Sequence, residues 1–283
     1  MRILITGANG QLGSALREVL TGQELILKSR PEFDLTDPAC EEQIRAARPD
    51  VVLHVGAYTN VDEAEREPER ARAVNVQGTA CVARAADSLG ARLLYVSTDY
   101  VFDGEKTTPY TEEDPPHPIN QYGLSKYEGE RAALNLCRNT LVVRTAWLYG
   151  YTGKNFVKTI MRLAAEKPQL EVVADQRGCP TNAEDLARTM KRLLAGDARG
   201  ICHATNGGEC TWYDLARAIV RQMGLTTVVR PITTAQAGRL ARRPAYSVLS
   251  QQRVSALCGP LPDWQDALAR FMKRMPSPVP AAN

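Results

Sequence analysis

The head of the chain sets the fold. Arg2 to Thr6 is a short, mostly apolar run that leads straight into Gly7-Ala8-Asn9-Gly10-Gln11-Leu12-Gly13, and Leu12 to Leu20 then has helical spacing. Glycines at 7, 10 and 13 let the chain turn tightly, let its backbone approach a pyrophosphate, and let the helix pack against the strand. The amino terminus of that helix offers free amides and a partial positive charge to the phosphates. A tight turn alone also uses glycine. Strand, loop and helix in this order, opening a strand–helix alternation, are what a dinucleotide loop requires.

The alternation continues. Apolar runs rich in branched residues recur at Glu24 to Leu27, Val51 to Val55, Arg92 to Ser97 and Leu141 to Thr145, with a long helical pattern from Glu69 to Leu89. Strands alternating with helices imply a parallel sheet, and strands apolar throughout imply helices on both faces. The expectation is an α/β chain with a doubly wound parallel sheet of Rossmann type. After Tyr149 the regularity loosens. Leu170 to Val173 reads as a further strand, Thr181-Asn182-Ala183-Glu184 as a capping box opening a helix, and Thr211 to Met223 as another helix stopped at Gly224. We expect residues 1–150 and about 170–205 to form the nucleotide-binding domain, and about 151–169 and 206–283 a smaller α+β substrate lobe, with a frayed end from Ser277 to Asn283.

Composition excludes several classes. The chain has 283 residues, 24% of them charged, and a net charge of +3 from 35 basic and 32 acidic side chains. That balance argues against nucleic acid or an anionic membrane as partner. No run approaches the ~20 apolar residues of a membrane helix, and the three-residue apolar stretch at the start is a strand rather than a signal peptide. The seven cysteines are scattered without a CxxC, as expected for free thiols in a reducing cytoplasm, and the three histidines lie far apart, so no metal centre is expected.

The second strand should end near Lys28-Ser29-Arg30. An acidic residue there would bind the ribose of NAD, and a basic one accommodates the extra phosphate of NADP. With Arg30 and no acid, NADPH is favoured and NADH is possible; the alternative is an Arg30 that simply points to solvent. Further on, Tyr122-Gly123-Leu124-Ser125-Lys126 puts a phenol and an ammonium on one helix face. In a partly dry cleft the ammonium should favour the phenolate and lower the tyrosine's pKa. Taken alone, the pair reads rather as a half-buried tyrosine beside a solvated lysine. Ser97-Thr98-Asp99-Tyr100 ends the fourth strand, where ligands bind in open parallel sheets. The Thr98 hydroxyl could steady a carbonyl there while Tyr122 protonates it, or Thr98 and Asp99 could merely shape the turn.

With the glycine loop, Asn75 in Val74-Asn75-Val76, Ser97-Thr98 and the Tyr122/Lys126 pair, the chain resembles the extended short-chain dehydrogenases/reductases over nearly its whole length. Phe33-Asp34-Leu35-Thr36-Asp37, Ser97 to Gly104, Arg144 to Tyr149, Asn155 to Thr159, Asp175 to Thr181, Arg242-Arg243-Pro244 and Leu261-Pro262-Asp263-Trp264 narrow the resemblance. They match members that reduce the 4-keto group of dTDP-4-dehydro-L-rhamnose to dTDP-L-rhamnose, for rhamnose-containing cell-surface polysaccharides. The resemblance implies that Gln11 and Leu12 meet the cofactor pyrophosphate, Asp34 and Leu35 its adenine end, and that Ala57, Tyr58 and Thr59 line it. It implies Tyr122 as proton donor and Lys126 as ribose ligand. Thr98 and Asp99 would bind the sugar, with Trp147 flanking it. Asn155 and Arg242 or Arg243 are candidates to hold the base, and either arginine could equally be a solvated charge.

Two departures bear on the reading. Some members dimerise through a magnesium site that begins with a glutamate after the glycine loop, where this chain has Ser14-Ala15-Leu16-Arg17. No structural metal is therefore expected, and monomer and homodimer both stay open. Dehydratases of the family carry Thr-Asp-Glu where this chain has Thr98-Asp99-Tyr100. A tyrosine is poorly placed by pKa to take the sugar's carbon-bound proton. A 4,6-dehydratase or epimerase, and a non-catalytic NADP-binding regulatory subunit, remain the alternatives to a reductase.

Overall fold

The computed structural model describes residues 1–275; the end from Ser277 to Asn283 lies outside the described residues. The first half runs β1 (Arg2–Thr6), α1 (Gln11–Val19), β2 (Glu24–Lys28), α2 (Cys40–Ala47), β3 (Val51–His54), α3 (Val61–Arg66), α4 (Pro68–Arg72), α5 (Gly78–Ser88), β4 (Arg92–Thr98), α6 (Gln121–Leu136) and β5 (Thr140–Thr145). The second half adds β6 (Leu148–Tyr149), α7 (Phe156–Glu166), β7 (Gln169–Val173), β8 (Arg177–Gly178), β9 (Thr181–Asn182), α8 (Ala183–Leu194) and β10 (Gly200–His203). It ends with β11 (Cys210–Thr211), α9 (Trp212–Gln222), β12 (Val228–Ile232), α10 (Thr234–Ala237), α11 (Gln252–Cys258) and α12 (Trp264–Arg274).

Six strands form one parallel sheet in the order β2-β1-β3-β4-β5-β10. The chain leaves β1 for β2 on one side and crosses to β3 on the other. The crevice at the carboxyl ends of β1 and β3 is thus the topological switch point, where such sheets bind ligands. Alternate strand residues feed two cores, which is why the strands are apolar throughout. Ile3, Ile5, Leu53, Leu94 and Val143 pack with Leu12 and Leu16 of α1, Leu186 and Met190 of α8, and Val254 of α11. Leu4, Val52, Leu93, Tyr95 and Val142 pack with Ile44, Val82, Ala86 and Ala133 on the opposite face.

A third core gathers α7, α9 and α12 around Val157, Ile160, Leu215, Ile219, Leu268 and Phe271. Beside it, β7 pairs in parallel with β12 in a two-stranded sheet of its own. The strand expected at Leu170 to Val173 therefore forms, but outside the main sheet. The helix opened near Thr181 is also shifted. Thr181 belongs to β9, and Asn182 caps α8 by accepting from the Glu184 and Asp185 amides. Thr211 and Asp214 do make a capping box, at the start of α9. Arg270 of α12 grips Asp185 of α8 with two hydrogen bonds of 3.0 and 2.8 Å, tying this core to the main sheet's helix layer.

The long helical pattern from Glu69 is not one uniform helix. Between α4 and α5, Ala73–Gln77 widens to a π-helical turn around the buried Asn75. Such turns re-aim side chains and recur at functional sites.

Candidate active site

The two halves of the molecule enclose one cleft of about 890 Å³ over the carboxyl ends of the main strands. Its walls include Gly7, Gly10, Gln11, Leu12 and Gly13 at one end, Arg30, Asp34 and Leu35 beyond β2, and Ala57, Tyr58 and Thr59 after β3. Thr98, Asp99, Tyr122, Lys126, Trp147 and Asn155 line it as well. The fold brings the singled-out residues to one cavity except Asn75, which sits behind its wall, and Arg242 and Arg243, which do not line it.

The glycine loop is shaped by close backbone approach. Gly7 has φ +66°, and a Cβ there would lie 2.6 Å from Gly56 Cα. A Cβ on Gly13 would meet Ala8 Cα at 2.7 Å. Gly10 differs: its backbone is ordinary, and a Cβ would have only Gly7 O within 4 Å, at 3.2 Å. It faces the cleft. The helix α1 begins here with no side-chain cap, so its first amides are free for an anion. This cradle fits a dinucleotide pyrophosphate.

At the adenine end, Asp34 accepts from the Thr36 amide at 2.9 Å and the Thr36 hydroxyl at 2.8 Å, which hold its carboxyl below the usual range. Arg30 is exposed at the rim of the cleft, a position open both to a cofactor phosphate and to solvent. Arg70 lies there too, a contributor the sequence did not disclose. Asn75 fastens the loop after β3. Its side chain exchanges hydrogen bonds with the Tyr58 amide (2.8 Å) and carbonyl (3.0 Å), and donates to Ser125 Oγ of α6 at 2.9 Å.

Helix α6 carries the Tyr122/Lys126 pair. Asn120 caps it by accepting from the Gly123 amide at 2.7 Å. At Gly123 any side chain would run into the Tyr100 backbone, so the helix can lie hard against the end of β4. Lys126 is buried and donates to Val96 O at 2.8 Å, with its nitrogen 4.1 Å from the centre of the Tyr95 ring. Burial lowers its pKa to about 7 while Glu130 pulls the other way, and burial raises Tyr122 to about 12. The expected lowering of Tyr122 by the ammonium is therefore not what the structure gives. The ammonium is aimed at a carbonyl and a ring face, and desolvation dominates the phenol.

The Thr98 hydroxyl donates to Asp99 Oδ1 at 3.1 Å and accepts from the Tyr100 amide at 3.2 Å. Asp99 is buried, and burial lifts its pKa to about 7 against hydrogen bonds from Ser247 and Thr98. The hydroxyls of Ser97 and Thr145, buried at the ends of β4 and β5 and lining the cleft, have no partner among the described residues.

Trp147 is held in the left-handed region at φ +47°, which a bulky residue adopts only where its surroundings enforce it. Its ring stacks on Trp212 of α9 at 3.5 Å and 7°, and Phe156 tilts against Trp212 at 4.5 Å. Two of the three base-holding candidates are already engaged. Asn155 caps α7 and donates to Gln11 Oε1 at 2.9 Å. Arg243 makes two hydrogen bonds to Asp62, of 3.0 and 2.9 Å, and Arg242 is exposed.

The family model described as RmlD substrate binding domain matches residues 1–277. The dTDP-4-dehydrorhamnose reductase of Sinorhizobium fredii is 41% identical over 289 residues, covering 96% of this chain and 97% of that protein. The chain belongs to this family. The dTDP-4-dehydrorhamnose reductase of Mycobacterium tuberculosis is 43% identical, covering 95% of this chain and 91% of that protein. Among solved structures, the dTDP-4-dehydrorhamnose reductase of Bacillus anthracis in complex with NADP superposes with a TM-score of 0.94 at 38% identity, covering 97% of this chain and 99% of that one. A UDP-glucose 4-epimerase from Thermus thermophilus shares the fold at 22% identity and a TM-score of 0.83. As a member of the RmlD family, the chain carries the extended reductase scaffold that its glycine loop and Tyr122/Lys126 pair imply. Among the described residues no cluster of His, Cys, Asp or Glu could hold a metal ion, and no helix is long and apolar enough to cross a membrane.

Proposed function

We propose that this chain reduces the 4-keto group of dTDP-4-dehydro-L-rhamnose to dTDP-L-rhamnose with NADPH, in the synthesis of rhamnose-containing polysaccharides. The observation that carries the reading is that one cleft joins the bare, uncapped helix start at Gly10 to the half-buried Tyr122 and the buried Lys126, in a chain alike end to end to reductases of that name. Bound NADPH supplies the hydride. With its pKa pushed up to about 12, Tyr122 keeps its proton at neutral pH and can give it to the forming alkoxide. Lys126, fixed by Val96 O, is the candidate ribose ligand, and Trp147 the candidate wall of the sugar pocket. Tyr100, half-buried and edge-on to Tyr122 with its pKa raised, offers no base for removing a carbon-bound proton, which disfavours dehydration. The NADPH requirement and the seven free thiols suit the cytoplasm.

The test is the absorbance of the reduced nicotinamide with keto sugar in excess over enzyme. Loss of NADPH matching the sugar reduced supports the reading. Product without net loss of NADPH would move the chain to the dehydratases or epimerases, and binding without turnover would make it a regulatory subunit.

A further inference from the structure

The third core touches the glycine loop through one side chain. Asn155, which caps α7, reaches across to Gln11, the first residue of α1, and donates from Nδ2 to Gln11 Oε1 at 2.9 Å. The segment between β6 and α7 packs along the same glutamine. A Cβ on Gly150 would come to 3.5 Å from Gln11 Cβ, and one on Gly153 to 3.6 Å from Gln11 Cγ. That segment is itself tied down. Asn155 Nδ2 also donates to Gly150 O at 2.9 Å, and Lys158 Nζ donates to Tyr151 O at 3.0 Å and to Gly153 O at 2.8 Å.

The backbone fixes which way both amide side chains face. The Lys158 amide can only donate, and its acceptor is Asn155 Oδ1 at 3.0 Å. Gly150 O can only accept, so the nitrogen of Asn155 lies on that side. Asn155 therefore presents protons to Gln11, and Gln11 must answer with its oxygen. Gln11 Nε2 is turned the other way and has no hydrogen-bond partner among the described residues. Gln11 lines the cleft at the uncapped start of α1, where the first backbone amides are free. A side-chain NH2 beside those amides adds a donor to a site already suited to an anion.

We propose that Asn155 is a positioning residue for the cofactor: it turns Gln11 so that Nε2 donates to a phosphate of NADPH, and so couples α7 to the glycine loop. The inference rests on the proposed use of NADPH in this cleft. A glutamine released by Asn155 has to give up rotamer freedom when it meets the phosphate, so loss of Asn155 should weaken NADPH binding roughly five- to tenfold. Loss of Nε2 itself should weaken it about tenfold or more, the lower end of what a hydrogen bond to a charged group is worth. A base-holding role for Asn155 would show instead in the affinity for the sugar's nucleotide.

The experiment is calorimetric titration of NADPH, and separately of dTDP, into wild type, Asn155→Ser, Gln11→Leu and the double variant, with melting temperatures alongside. Serine keeps a cap on α7 but is too short to reach Gln11. NADPH affinity should fall roughly five- to tenfold in Asn155→Ser and about tenfold or more in Gln11→Leu. It should fall no further in the double variant, because Asn155 acts only through Gln11. Affinity for dTDP should stay at the wild-type value throughout. If the serine variant folds poorly, Asn155→Asp, which keeps the cap and reverses the polarity facing Gln11, takes its place, and its loss should shrink in the Gln11→Leu background. Losses that multiply in the double variant, as a merely structural role would give, or a weakened dTDP with NADPH unmoved, would overturn the inference while leaving the reduction standing. A wild type that does not bind NADPH would instead overturn the reading of the cleft, and the inference with it.

Discussion

Gly10 and Gly13 belong to the same loop, yet replacing them should have separable effects. At Gly10 the backbone sits at φ −76° and ψ 177°, which any residue adopts, and an added Cβ meets only Gly7 O at 3.2 Å. Exchanging a helix-capping glycine for alanine then costs about 1 kcal/mol or less. For a chain of this length that is a melting shift of roughly 2 °C. At Gly13 the added Cβ would lie 2.7 and 2.8 Å from Ala8 backbone atoms, which cannot swing aside. Overpacking of this kind costs ~1–3 kcal/mol or more, so Gly13→Ala should melt roughly 2–5 °C lower or more. Cofactor affinity should follow a different order. The Gly10 methyl stands where the pyrophosphate must approach the α1 amides. Losing one amide–phosphate hydrogen bond, worth about 1.5–3 kcal/mol, weakens binding roughly ten- to hundredfold. Calorimetric titration with NADPH and a thermal melt of each variant measure both quantities. Wild-type affinity in Gly10→Ala would refute the placement of the pyrophosphate. Equal melting losses in the two variants would refute the contact argument.

Three further outcomes are expected. Tyr122→Phe should lower kcat by about 100- to 10,000-fold, the usual share of a general acid, with the melting temperature nearly unchanged; a rate above half of wild type would contradict the assignment. NADPH binding, followed by nicotinamide fluorescence, should weaken as pH rises through about 7, where buried Lys126 sheds the charge with which it would hold the ribose. That dependence should vanish in Lys126→Arg, and a flat wild-type profile would exclude it. Arg30→Asp should move the NADPH/NADH affinity ratio towards NADH, and an unmoved ratio would show that Arg30 faces only solvent.

What was legible in the sequence was carried by neighbouring residues. The glycine loop, the two-faced strands and the four-residue spacing of Tyr122 and Lys126 are local patterns, and each predicts a local geometry that the fold preserves. What was not legible depends on approach between distant segments. Asn155 and Arg243 were candidates to hold the base, but they are engaged by Gln11 and Asp62, 144 and 181 positions away. The strand at Leu170 was visible as a strand, but its partner Val229 was not. Trp212 sits at the first position of α9 and carries no periodic signal, so only the fold reveals its stack on Trp147. The pKa reasoning on Tyr122 went the wrong way for a related reason. Spacing along a helix gives proximity to the ammonium, but not the burial of both groups, and burial is the larger effect here.

The central claim is that this chain delivers a hydride to a sugar carbonyl. It is tested most directly with NADPH deuterated on the transferred face of nicotinamide C4, dTDP-4-dehydro-L-rhamnose in excess, and mass analysis of the product. The account predicts one deuterium in each dTDP-L-rhamnose formed, attached at sugar C4, and one NADPH oxidised for each. Product lacking deuterium, or formed while the reduced cofactor stays unchanged, would contradict it.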